Sequence, residues 1–385
     1  MRIGIDARNI SHPQPGGLKL YTTALLQGLS QLGVADEFVG FLDRPMDTRH
    51  LRLAPNITLK PIRRYRRMWH EAWGLGQLMR AERVDVAHFT VNIAPLRAPH
   101  PMVMTIHDTF EVEPRRWRGL VLESAGRYRL PRQRMADWWW GWLCRVGARQ
   151  ADLVVCPSRA SLEDLVRVLK VPRERIRIVP HGAADRFQPM PASEAEAVIG
   201  RLGLVRGYVL CFAAHDPRKN VERLVAAYAG MAGSLRAAHP LAVVVSSAAI
   251  RPAFERLGAG LGVPADMRIV VRPSDEEVVA LYNAAALLGF PSLGEGFGAP
   301  VVEAMACGCP VLAANTTAIP EVAGDAALLV DPLSTQELQK GMETILTDSQ
   351  YADRLRERGF DRARSFRWRR AAEGMMAVYR EAVQS

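Results

Sequence analysis

The chain predicts an α/β protein made of two doubly wound, parallel-sheet domains. Apolar runs of strand length alternate with amphipathic stretches of helical length along the whole sequence. Each half opens with a strand, a polar loop and a helix. The 385 residues, 49% of them hydrophobic, exceed one ordinary core but suffice for two. The expected domains are residues 1–183 and 192–366, with 183–191 as the linker and an amphipathic helix over 369–382.

In order, residues 1–7 read as a strand ending at Asp6, and a loop with Gly16 and Gly17 precedes a helix over 18–32. That loop lacks the G-x-G-x-x-G spacing, and no acidic residue follows at ribose distance, which argues against a nicotinamide cofactor. Runs 84–89 and 102–106 read as strands with polar carboxyl ends, the ends that line a ligand crevice in an open parallel sheet. His107 and Asp108 leave the second such end, and His88 lies near the first. Segment 110–149 departs from the alternation and is rich in Arg and Trp. A strand over 151–156 follows, then a helix to about Leu169 with Ser161 and Asp164 as a variant capping box, then a strand over 176–179.

The second half begins with a strand over 208–212 that leads to Pro217, Arg218, Lys219 and Asn220. Asn220 is expected to cap a helix over 221–231, which puts two cations just before a helix N-terminus, a suitable clamp for a diphosphate. Strands over 241–246 and 267–271 come next, the latter followed by Arg272 and a capping box from Ser274 to Glu277. An apolar run over 286–290 then enters a loop with Gly294, Gly296 and Gly298, and Pro300 opens a helix that Gly308 and Pro310 stop. Glu295 falls on the loop and Glu303 on the helix. Backbone N–H groups and the helix dipole favour an anion here, while two carboxylates favour hydroxyl donors, so the combination points to a ligand carrying both phosphate and sugar. Strands over 311–315 and 327–330 and helices from Ser334 and Tyr351 complete this half.

The run Glu295, Gly296, Phe297, Gly298, Pro300 and Glu303, with 304–311 and Ile319-Pro320-Glu321-Val322 in register, resembles the signature of retaining glycosyltransferases of family 4. The resemblance implies the GT-B arrangement, two Rossmann-like domains facing a central cleft, with residues 369–385 crossing back to the first domain. It implies transfer of a hexosyl group from a nucleoside diphosphate sugar to an acceptor hydroxyl without a cofactor or metal, and the opening residues together with 295–298 lean toward GDP-mannose. In these terms Arg218, Lys219, Glu295 and His107 would be catalytic. Gly16, Gly17, Arg272, Gly296, Phe297, Gly298 and Glu303 would join Arg218, Lys219 and Glu295 in holding the donor. Asp108, Lys19 and Tyr21 would join His107 on the acceptor side. The chain lacks the usual glycine near Ala213. The alternatives are a GT-B sugar epimerase and a basic nucleic-acid-binding protein with a degenerate Rossmann core; the second leaves the two glutamates unexplained.

Charge is unevenly spread. Between residues 51 and 150, eighteen Lys and Arg against eight Asp and Glu account for the whole formal charge of +10. Arg63, Arg64, Arg66 and Arg67 followed by Trp69, the arginines at 115–118, and Trp138, Trp139, Trp140 and Trp142 mix cations with interfacial aromatics. That mixture suits an anionic membrane surface, with nucleic acid as the competing partner and a solvated basic face as the plain reading. The favoured acceptor is therefore a lipid-linked or polysaccharide precursor, and no nucleic-acid partner is expected. Cys144, Cys156, Cys211, Cys307 and Cys309 show no metal-ligand spacing and read as reduced, buried thiols. With no leader-like segment and no apolar run of spanning length, the expected location is cytoplasmic, peripheral on the inner face of the plasma membrane if the basic segment docks there.

Overall fold

The computed structural model describes residues 1–11, 16–62, 73–110, 112–113, 131–214 and 216–384, with side chains in the helix Pro131–Gln150 described from Trp138 onward. These residues form two compact units that part after Gly182 and after Phe366.

The first unit is built on a seven-stranded sheet of order β3-β2-β1-β4-β5-β6-β7. The strands are β1 (Arg2–Asp6), β2 (Glu37–Leu42), β3 (Ile57–Pro61), β4 (Val86–Phe89), β5 (Met102–Thr105), β6 (Leu153–Cys156) and β7 (Ile176–Ile178), all paired in parallel. The central strands are buried along their length, as a parallel sheet covered on both faces requires. Strands β2 and β3 have no counterpart in the sequence reading. The side-chain pattern of β2 is broken at Gly40, where a Cβ would lie 2.4 Å from Leu59 Cδ2, and β3 is a polar edge strand ending in proline.

The first helix, Gly17–Ser30, receives the C-terminal helix, Trp368–Gln384, as the family resemblance implied. Leu25, Leu29, Ala372, Met375 and Tyr379 share one buried cluster. The contact is close because residue 28 has no side chain: a Cβ there would lie 2.7 Å from the Trp368 carbonyl oxygen. The capping box expected at Ser161 is one turn late. Ser158 is the N-cap, accepting the Ser161 N–H at 3.0 Å, so the helix runs Arg159–Asp164 and continues as a π turn over Leu165–Leu169.

The second unit carries a six-stranded parallel sheet of order β10-β9-β8-β11-β12-β13. Its strands are β8 (Val209–Ala213), β9 (Leu241–Val245), β10 (Met267–Val271), β11 (Leu287–Phe290), β12 (Val311–Ala314) and β13 (Leu328–Val330). The strand order reverses between β8 and β11, so the carboxyl ends of these two neighbours open a crevice for ligand. The Ser274–Glu277 capping box forms as expected. Within the expected linker, Ala183 and Phe187 are buried in this unit's core, and the Ala183 N–H donates to the Phe366 carbonyl at 2.9 Å. All five cysteines are buried thiols. No helix among the described residues is long and apolar enough to cross a membrane.

Candidate active site

The crevice of the second unit is lined first by the turn leaving β8. Pro217–Lys219 form one 3-10 turn capped by Asp216, whose carboxylate accepts the Arg218 backbone N–H and Nε, each at 3.0 Å, and also pairs with Arg218 Nη2. Asn220 is left-handed at φ 55° and makes no side-chain cap bond, contrary to the capping role expected for it. Its side chain turns inward, where Nδ2 donates to the carbonyls of Pro291 (3.0 Å) and Pro332 (2.8 Å) and Oδ1 accepts from Arg223 Nη1 (2.7 Å). Two buried carbonyls needed donors, and that need outweighs the helix cap. Asn220 thereby ties the β8 turn to the segments leaving β11 and β13.

The loop leaving β11 is joined to that turn. The Leu293 N–H donates to the Arg218 carbonyl at 2.8 Å, and Lys219 Nζ donates to Glu295 Oε1 at 2.6 Å. Each of the two expected phosphate-binding cations is therefore already paired with a carboxylate, Arg218 with Asp216 and Lys219 with Glu295. An ammonium carries three N–H groups, so one bond to Glu295 still allows Lys219 to bind phosphoryl oxygen. The Glu295 N–H is taken by Thr317 Oγ1 at 3.0 Å. Phe297 is buried edge-on against Phe366, which limits its contribution to the site to the backbone. Gly298, at φ 93°, opens the helix Ala299–Ala306; a Cβ there would lie 2.4 Å from Ile319 Cδ1. One turn along, Glu303 accepts the Tyr282 hydroxyl at 3.0 Å. Burial pushes the Glu303 carboxyl up to about 7, against the opposing pull of that hydrogen bond. Arg272 stands at the end of β10 with φ 50°, its Nε donating to the Ser246 carbonyl at 3.4 Å.

The remaining candidates lie in the first unit. A Cβ at Gly16 or Gly17, which begin the first helix, would meet nothing within 4 Å, and Lys19 is partly exposed. Tyr21 is buried with its hydroxyl 3.3 Å from Thr105 Oγ1, and burial pushes the phenol up to about 12. His107 packs against Tyr21 and His181; its Nε2 donates to the Thr90 carbonyl at 2.9 Å, which leaves Nδ1 to accept from His181 Nε2 at 3.3 Å. Burial pulls His107 down to about 4, so the pair is neutral. Both nitrogens of His107 are thus engaged inside the unit, and the Tyr21 ring packs edge-on against it at 4.5 Å. Asp108 accepts the Phe110 N–H at 3.1 Å. His88 is a buried connector between Thr105 (2.8 Å) and Tyr379 (2.7 Å). Arg63, Arg64, Arg66, Arg67 and Trp69, together with the arginines at 115–118, lie outside the described residues. Of the tryptophans, Trp138 is 70% exposed, while Trp139 and Trp142 stack at 5.2 Å.

Two family models match: glycosyltransferase family 4 over residues 15–185 and glycosyl transferases group 1 over residues 203–362. The chain belongs to the group 1, family 4 glycosyltransferases. It is 27% identical over 243 residues to the serotype-specific mannosyltransferase WbdA of Escherichia coli, a match that covers 61% of this chain and 29% of the relative. The chain therefore spans well under half the length of that relative. It is 32% identical over 292 residues to the MMP alpha-(1->4)-mannosyltransferase of Mycolicibacterium hassiacum, covering 74% of this chain and 66% of the relative. The solved sucrose-phosphate synthase from Thermosynechococcus elongatus has the same GT-B fold, with a TM-score of 0.74, 21% identity, and coverage of 99% of this chain and 98% of that one.

Around this candidate site, the residues that sequence reasoning missed are Asp216, Asn220 in its inward role, Arg223, Tyr282, Thr317, and Thr316, whose Oγ1 lies 3.3 Å from the Ser292 carbonyl oxygen. Asp216 was legible in principle, since an Asp two residues before an Arg and next to a Pro is a turn-capping pattern. Arg223 reaches Asn220 three residues back as well as the distant Pro332 carbonyl, and the others act through contacts distant in sequence that leave no local pattern.

Proposed function

We propose that this chain moves a hexosyl group from a nucleoside diphosphate sugar, with GDP-mannose the favoured donor, to an acceptor hydroxyl with retention at the anomeric carbon. The observation that carries the reading is the joined pair of loops at the strand-order reversal, where Lys219 pairs with Glu295 and Arg218 with Asp216, beside the N-terminus of the helix bearing Glu303. In the reaction the bond from C1 to the phosphate oxygen breaks, its electron pair goes to the leaving diphosphate, and the acceptor oxygen bonds C1. The acceptor's proton passes to the diphosphate, so no protein base is required. Charge develops on the diphosphate, where Lys219, Arg218 and the loop amides stabilise it, and Glu295 holds sugar hydroxyls while Glu303 holds the ribose. Mannose is supported by two relatives that are mannosyltransferases, WbdA and the Mycolicibacterium enzyme.

The favoured acceptor is a lipid-linked or polysaccharide precursor, which the basic, tryptophan-bearing stretch between residues 51 and 150 supports. A thermal-shift panel of GDP-, UDP-, dTDP- and ADP-sugars tests the donor. A ligand at a hundred times its dissociation constant adds about 2.7 kcal/mol of stability, so GDP-mannose should raise the melting temperature more than the other donors. A larger shift with another base refutes the mannose donor, and no shift with any refutes the reaction.

A further inference from the structure

The segment from β12 to the next helix, Ile319–Ala323, also holds the glycine loop. Thr316 Oγ1 lies 3.3 Å from the Ser292 carbonyl oxygen and 3.4 Å from that of Leu293, and Thr317 Oγ1 accepts the Glu295 N–H at 3.0 Å. Glu295 is thus held at both ends, its amide by Thr317 and its carboxylate by Lys219. Thr317 holds this position at φ 51°. A β-branched residue is poorly suited to the left-handed region, and glycine would occupy it without strain. The strain persists while the hydroxyl has a specific partner on the residue that meets the sugar, the setting in which backbone outliers have functional meaning.

We propose that Thr317 is a positioning residue that sets the direction of the Glu295 carboxylate and so contributes to the choice of sugar. This inference deepens the functional reading above and rests on it. By occupying the Glu295 amide, Thr317 keeps that N–H from turning toward an anion, and the carboxylate is left to face hydroxyls across a fixed loop. Displacing a group that must sit within hydrogen-bond range of a reacting sugar lowers turnover without a matching loss of binding.

The test uses the full chain and follows slow hydrolysis of GDP-mannose and of GDP-glucose, with three variants. Thr317→Gly removes both the strain and the hydroxyl, so it should melt at or above the wild-type temperature yet lose about ten- to a hundredfold in kcat, with KM for the donor little changed. Thr317→Val keeps the shape without the acceptor oxygen and should lose kcat equally. Thr317→Ser keeps the oxygen and should recover most of it. The ratio of the two sugars should narrow in the Gly and Val variants. A wild type that hydrolyses donor, with Thr317→Gly matching it in kcat and in sugar ratio, overturns the inference alone. A wild type that hydrolyses neither donor and shifts with no nucleotide sugar overturns the functional reading and this inference with it.

Discussion

Lys219 has two partners to satisfy, the Glu295 carboxylate it already binds and the diphosphate it is proposed to stabilise. The side chain is 28% exposed and Glu295 14%, so the pair is only partly screened by water. Charge on the leaving group is greater in the transition state than in the bound donor, so Lys219→Ala should lower kcat by about a hundred- to a thousandfold and change donor affinity far less. Steady-state kinetics decide this, and a raised KM with unchanged kcat refutes the role. Glu303 makes a pH-dependent prediction. Burial pushes its carboxyl up to about 7, and it is the ionised form that accepts hydrogen bonds from a ribose. Binding of the free nucleoside diphosphate should therefore expel a proton near neutrality and weaken as the pH falls below about 7. Calorimetry in two buffers of different ionisation heat measures that proton. Glu303→Gln should abolish its release, and Glu303→Ala should weaken nucleotide binding where Glu295→Ala spares it and slows transfer. Equal losses in the two alanine variants would refute the division of roles.

At the level of elements, legibility in the sequence follows how local the cause is. The strand, glycine loop and helix from Leu287 to Ala306 could be read because Gly298 and Pro300 act on their own backbone. The cap at Ser274 was legible for the same reason. Strands β2 and β3 were not, because Gly40 weakens the apolar pattern in exchange for a close approach of Leu59, and an edge strand can afford polar residues. Asn220 was legible as a special residue but not in its role, since the carbonyls it serves belong to Pro291 and Pro332, distant in sequence. Thr317 shows no signal at all: a left-handed threonine is invisible until its partner is placed. The C-terminal helix supplies a test at this scale. A methyl at residue 28 would meet the Trp368 backbone carbonyl, which cannot rotate away as a side chain would. Gly28→Ala should therefore cost about 1–3 kcal/mol despite alanine's better helix propensity, and thermal melts should show the loss. A variant that melts higher than wild type would show that the two helices can separate slightly without penalty.

Across the whole molecule, the charge distribution separates the candidate partners. The stretch from 51 to 150 carries the entire excess of +10, while the rest of the chain is balanced, so one contiguous stretch dominates long-range attraction to any anion. Arg63, Arg64, Arg66 and Arg67 lie in this stretch, and Trp138, further along it, exposes an indole to solvent. An enzyme acting on a lipid-linked sugar needs to reach the head group, and arginines near an anionic leaflet each contribute on the order of 1 kcal/mol, so four give reversible docking. Trp138 then adds interfacial affinity that salt does not screen. Co-sedimentation with liposomes should rise with the fraction of anionic lipid and fall with salt. Replacing the four arginines by alanine should leave the protein in the supernatant while donor hydrolysis continues, because none of the four is among the residues proposed to hold the donor. Trp138→Ala should weaken docking to a similar extent at low and high salt. If the wild type ignores anionic liposomes and instead binds single-stranded nucleic acid with a steep salt dependence, the membrane reading fails. Indifference to both makes the arginines a solvated face and the acceptor a free saccharide, and the search for the acceptor then moves to soluble oligosaccharides.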